Sequence, residues 1–178
     1  MRNEYVKKLV FSALFLSLGL TLPFLTGQIK EIGDSLLPMH LPIMLCGMIC
    51  GWGYGLSVGL ITPLLRGIVF GMPPIYPNAI WMALELGAYG FILGFLYNKM
   101  KKRTVPFILL YTLIAMIGGR IVWGIAKAIL LGVGKKAFTI NMFIVGGFLD
   151  AIPGIIIQFI LIPIIITLYE KLKSKGDL

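Results

Sequence analysis

The stretch that decides the fold is Leu41–Phe70, which reads LPIMLCGMICGWGYGLSVGLITPLLRGIVF. As a single helix, these roughly 30 residues would extend about 45 Å, which is more than a hydrocarbon core of about 30 Å requires. The sequence Gly51-Trp52-Gly53-Tyr54-Gly55 lies in the middle of the stretch and favours a break there. We therefore predict two helices, 38–51 and 54–70, that are joined by a turn at these glycines.

The composition of the whole chain indicates a membrane protein. Hydrophobic residues make up 58% and charged residues 13% of the 178 residues, and the mean hydropathy is +0.96. Soluble domains are only about half apolar. We predict a single all-α membrane domain over residues 1–178, a bundle of six transmembrane helices. Their predicted bounds are about 5–25, 38–51, 54–70, 78–97, 105–131 and 139–169.

Basic residues fix the predicted orientation. Ten of the 16 Lys and Arg residues form three clusters at the ends of apolar segments. Splitting Leu41–Phe70 into two helices places all three clusters on one side, which the positive-inside rule assigns to the cytoplasm together with both termini. Nucleic-acid binding is disfavoured because the clusters follow the spans and form no single basic face. The clusters are Arg2, Lys7 and Lys8; Lys99, Lys101, Lys102 and Arg103; Lys171, Lys173 and Lys175.

Two further features shape the predicted bundle. The segment Thr26–His40 is too polar to span and is predicted to form an external loop. Within the decisive stretch Leu41–Phe70, glycines recur at every fourth residue. Small residues at this spacing let helix backbones approach closely. Part of this row could instead serve the turn. The glycines are Gly47, Gly51, Gly55 and Gly59.

Five ionisable residues lie within the predicted spans, where a charge is costly unless it faces the bundle interior or a cavity. Counted from the external helix ends, all five lie about 6 to 16 Å deep, in the outer half of the membrane or at its midplane. This asymmetry predicts a polar pocket that opens outward rather than a continuous pore. The five residues are Arg66, Glu85, Arg120, Lys127 and Asp150.

Helical periodicity gives these charges polar and aromatic neighbours on the same faces. A buried ion pair that only holds helices together is the alternative interpretation of any single charge. The sole histidine lies at the junction of the external loop and the second helix, where it is either a ligand contact or an ordinary interfacial residue. The predicted substrate site comprises His40, Arg66, Tyr76, Asn78, Trp81, Glu85, Tyr89, Arg120, Trp123, Lys127 and Asp150.

The sequence lacks the motifs of common catalytic sites. It contains no phosphate-binding loop, no His-rich metal motif and no Ser or Cys nucleophile with a base one turn away. We therefore expect no enzyme activity, no metal and no cofactor. Active transport by this chain would need an ion gradient or another subunit.

The whole chain resembles the substrate-binding S components of energy-coupling factor (ECF) transporters, the vitamin importers of prokaryotic plasma membranes. The resemblance is carried by the long loop after the first helix, the run Leu37–Gly47, and the segment from Gly51 to Thr62-Pro63-Leu64-Leu65-Arg66. It implies a membrane-embedded scaffold (T) subunit, two cytoplasmic ATPases and a vitamin ligand, in addition to membrane lipid. S components carry an Ala-x-x-x-Ala motif on the first helix, and the nearest match here is Ala13-Leu14-Phe15-Leu16-Ser17, so Ala13 and Ser17 are the predicted scaffold contacts.

The residue types favour an anionic ligand without deciding which one. Desolvated Arg side chains suit a carboxylate or phosphate, and the carboxylates of Glu85 and Asp150 could accept from hydroxyl or ring N–H groups. Pantothenate is slightly preferred, followed by a pyridoxine-like or pyrimidine-like compound or riboflavin. Two other classes stay open. One is an intramembrane enzyme that uses Glu85 and Asp150 as an acid pair, and the other is a structural subunit without a ligand.

Overall fold

The structure is a computed structural model that describes residues 2–26, 29, 33, 35–100, 102–135 and 137–175. All regular structure in these residues is helical. A 3₁₀ turn, Leu22–Thr26, follows the first helix, and wide π-type turns lie at Ile75–Ala79 and Val145–Leu149. The helices are α1 (Arg2–Thr21), α2 (His40–Cys50), α3 (Trp52–Phe70), α4 (Ile80–Met100), α5 (Val105–Val133), α6 (Ile140–Ile144) and α7 (Ile152–Lys175).

Five helical stretches in the described part of the chain are long and apolar enough to cross a membrane. They confirm the prediction of an all-α membrane protein. By contrast, α2 has 11 residues, or about 16 Å, which is only half of a typical hydrocarbon core. The five stretches are Glu4–Leu25, Trp52–Phe70, Ile75–Met100, Val105–Val133 and Ile152–Lys175.

The predicted break in the decisive stretch is present at Gly51. This residue separates α2 from α3 with a φ of 109°, a conformation that glycine adopts without steric cost. Its amide donates to the carbonyl of Gly47 at 3.1 Å and closes the end of α2. The turn is therefore a single residue, shorter than the predicted interval between the two helices.

The prediction of one continuous helix over 139–169 is wrong. The chain forms α6, continues through the π-type segment Val145–Leu149, and begins α7 at Ile152 after a turn at residues 150–151. Pro153 lacks the N–H that would bond to the carbonyl of Leu149, and Gly146 and Gly147 add backbone freedom before it. The final helix also runs further than predicted, to Lys175.

Other predicted bounds differ by a few residues. The helix predicted at 5–25 is α1 followed by the 3₁₀ turn, the one at 78–97 is α4 after a π-type turn, and the one at 105–131 extends to Val133. The predicted external loop lies partly outside the described residues, which omit 27–28, 30–32 and 34.

Glycines hold α2, α3 and α4 together at backbone distance. A methyl group added to Gly55 would lie 2.6 Å from Gly47 Cα and 2.7 Å from the carbonyl oxygen of Gly90. One added to Gly59 would lie 2.5 Å from the carbonyl oxygen of Leu86. The close approach expected from the glycine row therefore occurs, and it makes α4 the central helix, packed against α2, α3 and α5.

The described residues of the basic clusters lie at one end of the bundle. Glu170 near the end of α7 accepts from Arg103 at 2.7 and 2.6 Å, and from the Tyr97 hydroxyl at 2.8 Å. This contact joins the α4–α5 connection to the end of α7. The first helix reaches the same end, because the Cys46 thiol contacts Ser12 Oγ at 3.9 Å and Ser12 lies one turn from Lys8.

We predict that Gly59→Ala destabilises the protein by about 1 to 3 kcal/mol, because the methyl group would meet α4 backbone that cannot rotate away. Gly53→Ala is the matched control on the same helix, since an added methyl group meets no atom within 4 Å there. This control should be neutral or gain up to about 1 kcal/mol in helix propensity. Thermal unfolding in detergent can be followed with a thiol-reactive dye, because Cys46 and Cys50 are free and buried. Equal stability of the two variants would contradict the described α3–α4 contact.

Candidate functional site

A cavity of about 460 Å³ lies at the end of the bundle opposite the basic clusters. It is enclosed by the start of α2, the end of α3, the first turns of α4, the second half of α5 and the segment between α6 and α7. Nine of the eleven residues predicted for the site line it. They are His40, Arg66, Asn78, Trp81, Glu85, Arg120, Trp123, Lys127 and Asp150.

A buried ion pair forms the floor of the cavity. Arg120 Nη1 on α5 donates to Glu85 Oε1 on α4 at 2.7 Å, and both side chains are about 95% or more buried. The Tyr89 hydroxyl donates to the same oxygen at 3.2 Å, and His40 Nε2 lies 3.6 Å from it. One carboxylate therefore joins α2, α4 and α5.

The second terminal nitrogen of Arg120 differs from the first in its hydrogen bonding. Arg120 Nη2 is buried and has no hydrogen-bond partner in the described part of the chain. A buried guanidinium N–H without an acceptor is costly. Arg120 therefore anchors the helices through one nitrogen and keeps a second, buried donor without a partner among the described residues.

Aromatic rings surround the ammonium group of Lys127. Its Nζ lies 4.4 Å from the centroid of the Trp123 ring, 5.4 Å from Trp81 and 5.7 Å from Phe138. Such cation–π contacts hold a positive charge where water is scarce. Trp81 and Trp123 therefore line the cavity together with a cation. Helical periodicity in the sequence predicted charged and aromatic residues on the same helix faces.

Arg66 binds to the end of α1. Its guanidinium donates to the carbonyl of Leu20 and lies 4.8 Å from the Phe24 ring and 5.4 Å from the Phe70 ring. Leu20 is in the last turn of α1, where carbonyls lack intrahelical partners. Arg66 thus lines the cavity and also ties α1 to α3.

Asp150 lies at the break between α6 and α7. Its side chain is exposed, lines the cavity, and forms no ion pair with any described residue. Arg120, the buried base on α5, pairs with Glu85 and not with Asp150. The break in the final helix places Asp150 at the cavity edge.

Two predicted residues lie outside the cavity lining. Tyr76 is 58% exposed and lies in the turn before α4, where the backbone has non-helical angles. Tyr89 is buried below Glu85 and supports that carboxylate. Periodicity placed Tyr89 on the correct face of α4, but one turn too deep to reach the cavity.

Several lining residues were missed by the sequence interpretation. They are mostly apolar or proline residues in loops and turns at the open end, where periodicity gives no signal; the run Met72-Pro73-Pro74 was recognised only as a turn. The missed residues include Pro23, Leu37, Pro38, Met39, Met72, Pro73 and Pro74.

The predicted scaffold contacts lie well away from the cavity. Ala13 and Ser17 are exposed on the outer face of α1, and the Ser17 hydroxyl donates back to the carbonyl of Ala13 at 2.9 Å. The opposite face of α1 carries Ser12 and Phe15, which are buried in the bundle. The small residues thus form part of a surface that the single chain leaves open.

The arrangement suits reversible binding of a small polar molecule. Glu85 is engaged by Arg120 and Tyr89, which disfavours the hypothesis of a Glu85–Asp150 acid pair. Within the described residues no three His, Cys, Asp or Glu side chains cluster as metal ligands. The cavity instead combines cationic donors, aromatic faces and one exposed carboxylate.

The fold and the cavity together define a multi-helix membrane protein with a cavity lined by charged residues at one end. A family model described as ECF transporter, substrate-specific component, matches residues 7–166, and the chain therefore belongs to this family. This confirms the resemblance noted in the sequence. Comparisons with curated proteins and with solved structures found no match. The chain is thus a substrate-specific component of an ECF transporter, and this family implies partnership with ECF T and ATPase subunits and with a small-molecule substrate.

We predict strong coupling between Glu85 and Arg120. Glu85→Leu or Arg120→Met alone leaves one charge buried without its partner and should cost about 3 to 5 kcal/mol. The double variant should be more stable than either single variant, because it buries no unpaired charge. Thermal unfolding of the ligand-free proteins in detergent measures this. Asp150→Asn is the control and should change stability little. Additive losses in the double variant would contradict a direct pair.

Proposed function

We propose that this chain captures a small anionic vitamin or vitamin precursor in the cavity and presents it to the ECF T and ATPase subunits for import. The observation that carries the proposal is Arg120, which lines the cavity and whose buried Nη2 has no acceptor among the described residues. A carboxylate or phosphate would supply that acceptor, since guanidinium groups favour both.

The charge of the lining supports an anionic ligand. Three basic residues, Arg66, Arg120 and Lys127, face two acidic residues, Glu85 and Asp150, in the described lining. Three minus two leaves one formal positive charge in excess among these five residues. The volume of about 460 Å³ falls within the range of about 300 to 1,000 Å³ of small-molecule sites.

The cavity also offers groups that distinguish one anion from another. The exposed carboxylate of Asp150 can accept from a hydroxyl or N–H group, and the ring faces of Trp81 and Trp123 can pack against an apolar part. Pantothenate combines a carboxylate, an amide and hydroxyls, and is the preferred ligand. A pyridoxine-like or pyrimidine-like compound, or riboflavin, follows.

We infer that the chain crosses a prokaryotic plasma membrane six times as a single domain. The short α2 returns the chain from the cavity to the basic end, and the α6–α7 segment forms the last crossing. The contacts of Glu170 with Arg103 and of Cys46 with Ser12 support placing all three basic clusters at one end. By the positive-inside rule this end and both termini are cytoplasmic, so the cavity opens outward.

Ligand binding is the direct test. Purified protein should bind pantothenate, pyridoxine or riboflavin in titration calorimetry, and native mass spectrometry should show a bound non-lipid molecule. Losing one charge-assisted hydrogen bond costs about 1.5 to 3 kcal/mol, or about ten to a hundredfold in affinity. We expect a loss of at least tenfold in two or more of Arg66→Gln, Glu85→Gln, Arg120→Gln, Lys127→Gln and Asp150→Asn.

The control for these variants is Tyr76→Phe, which changes an exposed residue outside the lining and should keep full affinity. Folding of each variant is checked by its thermal transition, because Glu85 and Arg120 also stabilise the bundle. If every folded variant keeps full affinity for the ligand that the native protein binds, the charges are structural and the proposed site is wrong.

We propose that Ala13 and Ser17 form the contact with the T subunit, which acts with two cytoplasmic ATPases. Replacing Ala13 with Trp or Ser17 with Leu should block the close approach of another helix. Uptake into vesicles that contain all subunits should fall at least tenfold, while ligand affinity stays within a few fold. Phe91→Leu, on the exposed face of α4, is the control. Loss of ligand binding would contradict the proposal, as would ATP-independent uphill uptake by the chain alone.

A further inference from the structure

A second concavity lies at the basic end of the bundle, far from the ligand cavity. It is a groove of about 340 Å³ between the beginning of α5 and the segment of α7 from Pro163 to Lys171. Apart from one hydroxyl and one ammonium group its lining is apolar, and Ile164 and Leu168 are more than half exposed. The lining residues are Val105, Pro163, Ile164, Thr167, Leu168 and Lys171.

The base of the groove carries an unused hydroxyl. Pro163 removes one backbone N–H from α7, and Thr167 lies one turn further along the same face. Thr167 Oγ1 is inaccessible to solvent and has no hydrogen-bond partner within the described ranges. A threonine in a helix commonly bonds back to the carbonyl four residues earlier, as Thr112 does here. The Thr167 hydroxyl is therefore a buried polar group without a partner in the described ranges, and it lies beneath the surface of the groove.

The rim of the groove is positive. Lys171 lies one turn beyond Thr167 and forms no ion pair with a described residue. The groove also reaches the N-terminus of the 29-residue α5, whose N-cap Thr104 makes no side-chain capping bond. Pro106 has no N–H, and the Phe107 N–H already donates to the Thr104 carbonyl at 3.0 Å. This helix start therefore attracts anions through its dipole and not through a row of free N–H groups. The nearest acid in sequence, Glu170, is occupied by Arg103 and Tyr97.

An apolar channel with an unused hydroxyl and a positive rim matches one kind of membrane component. We propose that this groove binds an anionic phospholipid. Its acyl chain lies along Val105, Ile164 and Leu168, and its phosphate lies between Lys171 and the start of α5. The inference does not depend on the identity of the transported ligand, because the groove and the cavity share no residue.

The test compares phosphatidylglycerol with phosphatidylcholine of the same acyl chains, added to the full-length protein in detergent. Native mass spectrometry should show selective retention of phosphatidylglycerol, and this lipid should raise the thermal midpoint more than phosphatidylcholine does. A lysine near an anionic headgroup contributes about 1 kcal/mol, so Lys171→Gln should weaken phosphatidylglycerol binding about fivefold. Binding of phosphatidylcholine should change little.

The matched control is Lys173→Gln, which removes an equal charge from the same cluster at a position that does not line the groove. It should leave phosphatidylglycerol selectivity intact. Leu168→Trp fills the groove without changing charge and should reduce retention of both lipids. The proposal is overturned if Lys173→Gln weakens binding as much as Lys171→Gln, if the two lipids bind equally, or if soluble glycerol phosphate competes as well as the lipid.

Discussion

Direct contact between helix backbones is the constraint on which the rest of this structure depends. Between helices in a membrane there is little hydrophobic driving force, so close packing must supply the association energy. Gly47, Gly55 and Gly90 meet with no side chain between them. This contact fixes α4 at the centre of the bundle and, through α4, the height at which Trp81 and Glu85 face the cavity.

The same close packing explains how buried charged groups, which are energetically costly, are tolerated at the cavity. Glu85 is nearly fully buried, yet it accepts from Arg120 and Tyr89, whose helices are held in place by the packing below. A looser bundle would admit lipid or misplace one partner, and an uncompensated buried charge is strongly destabilising. Tight helix packing in the half of the bundle that carries the basic clusters thus permits a polar cavity in the other half.

The sequence predicted where the cavity lies better than it predicted which partners the charged side chains contact there. Counting residues from the helix ends placed Arg66, Glu85 and Arg120 near one end, because depth follows directly from the helical rise. Which charges pair depends on helix rotation and tilt, and tilt is set by packing against neighbouring helices. Hence Arg66 bonds to a backbone carbonyl at the end of α1, a partner that no side-chain pattern reveals. The break at residues 150–151 was missed because the surrounding run is long and mostly apolar and masked the effect of Pro153.

The placement of the indole side chains has an optical consequence. The chain has three tryptophans; Trp81 and Trp123 line the cavity, whereas Trp52 packs 5.5 Å from the Phe91 ring at the α2–α3 turn. Intrinsic fluorescence therefore combines two emitters at the cavity with one at the opposite end. Replacing Trp52 with Phe would leave only the emitters beside Lys127, whose charge lies 4.4 Å from the Trp123 ring. The emission of such a protein would report the electrostatic environment of its cavity without any attached dye.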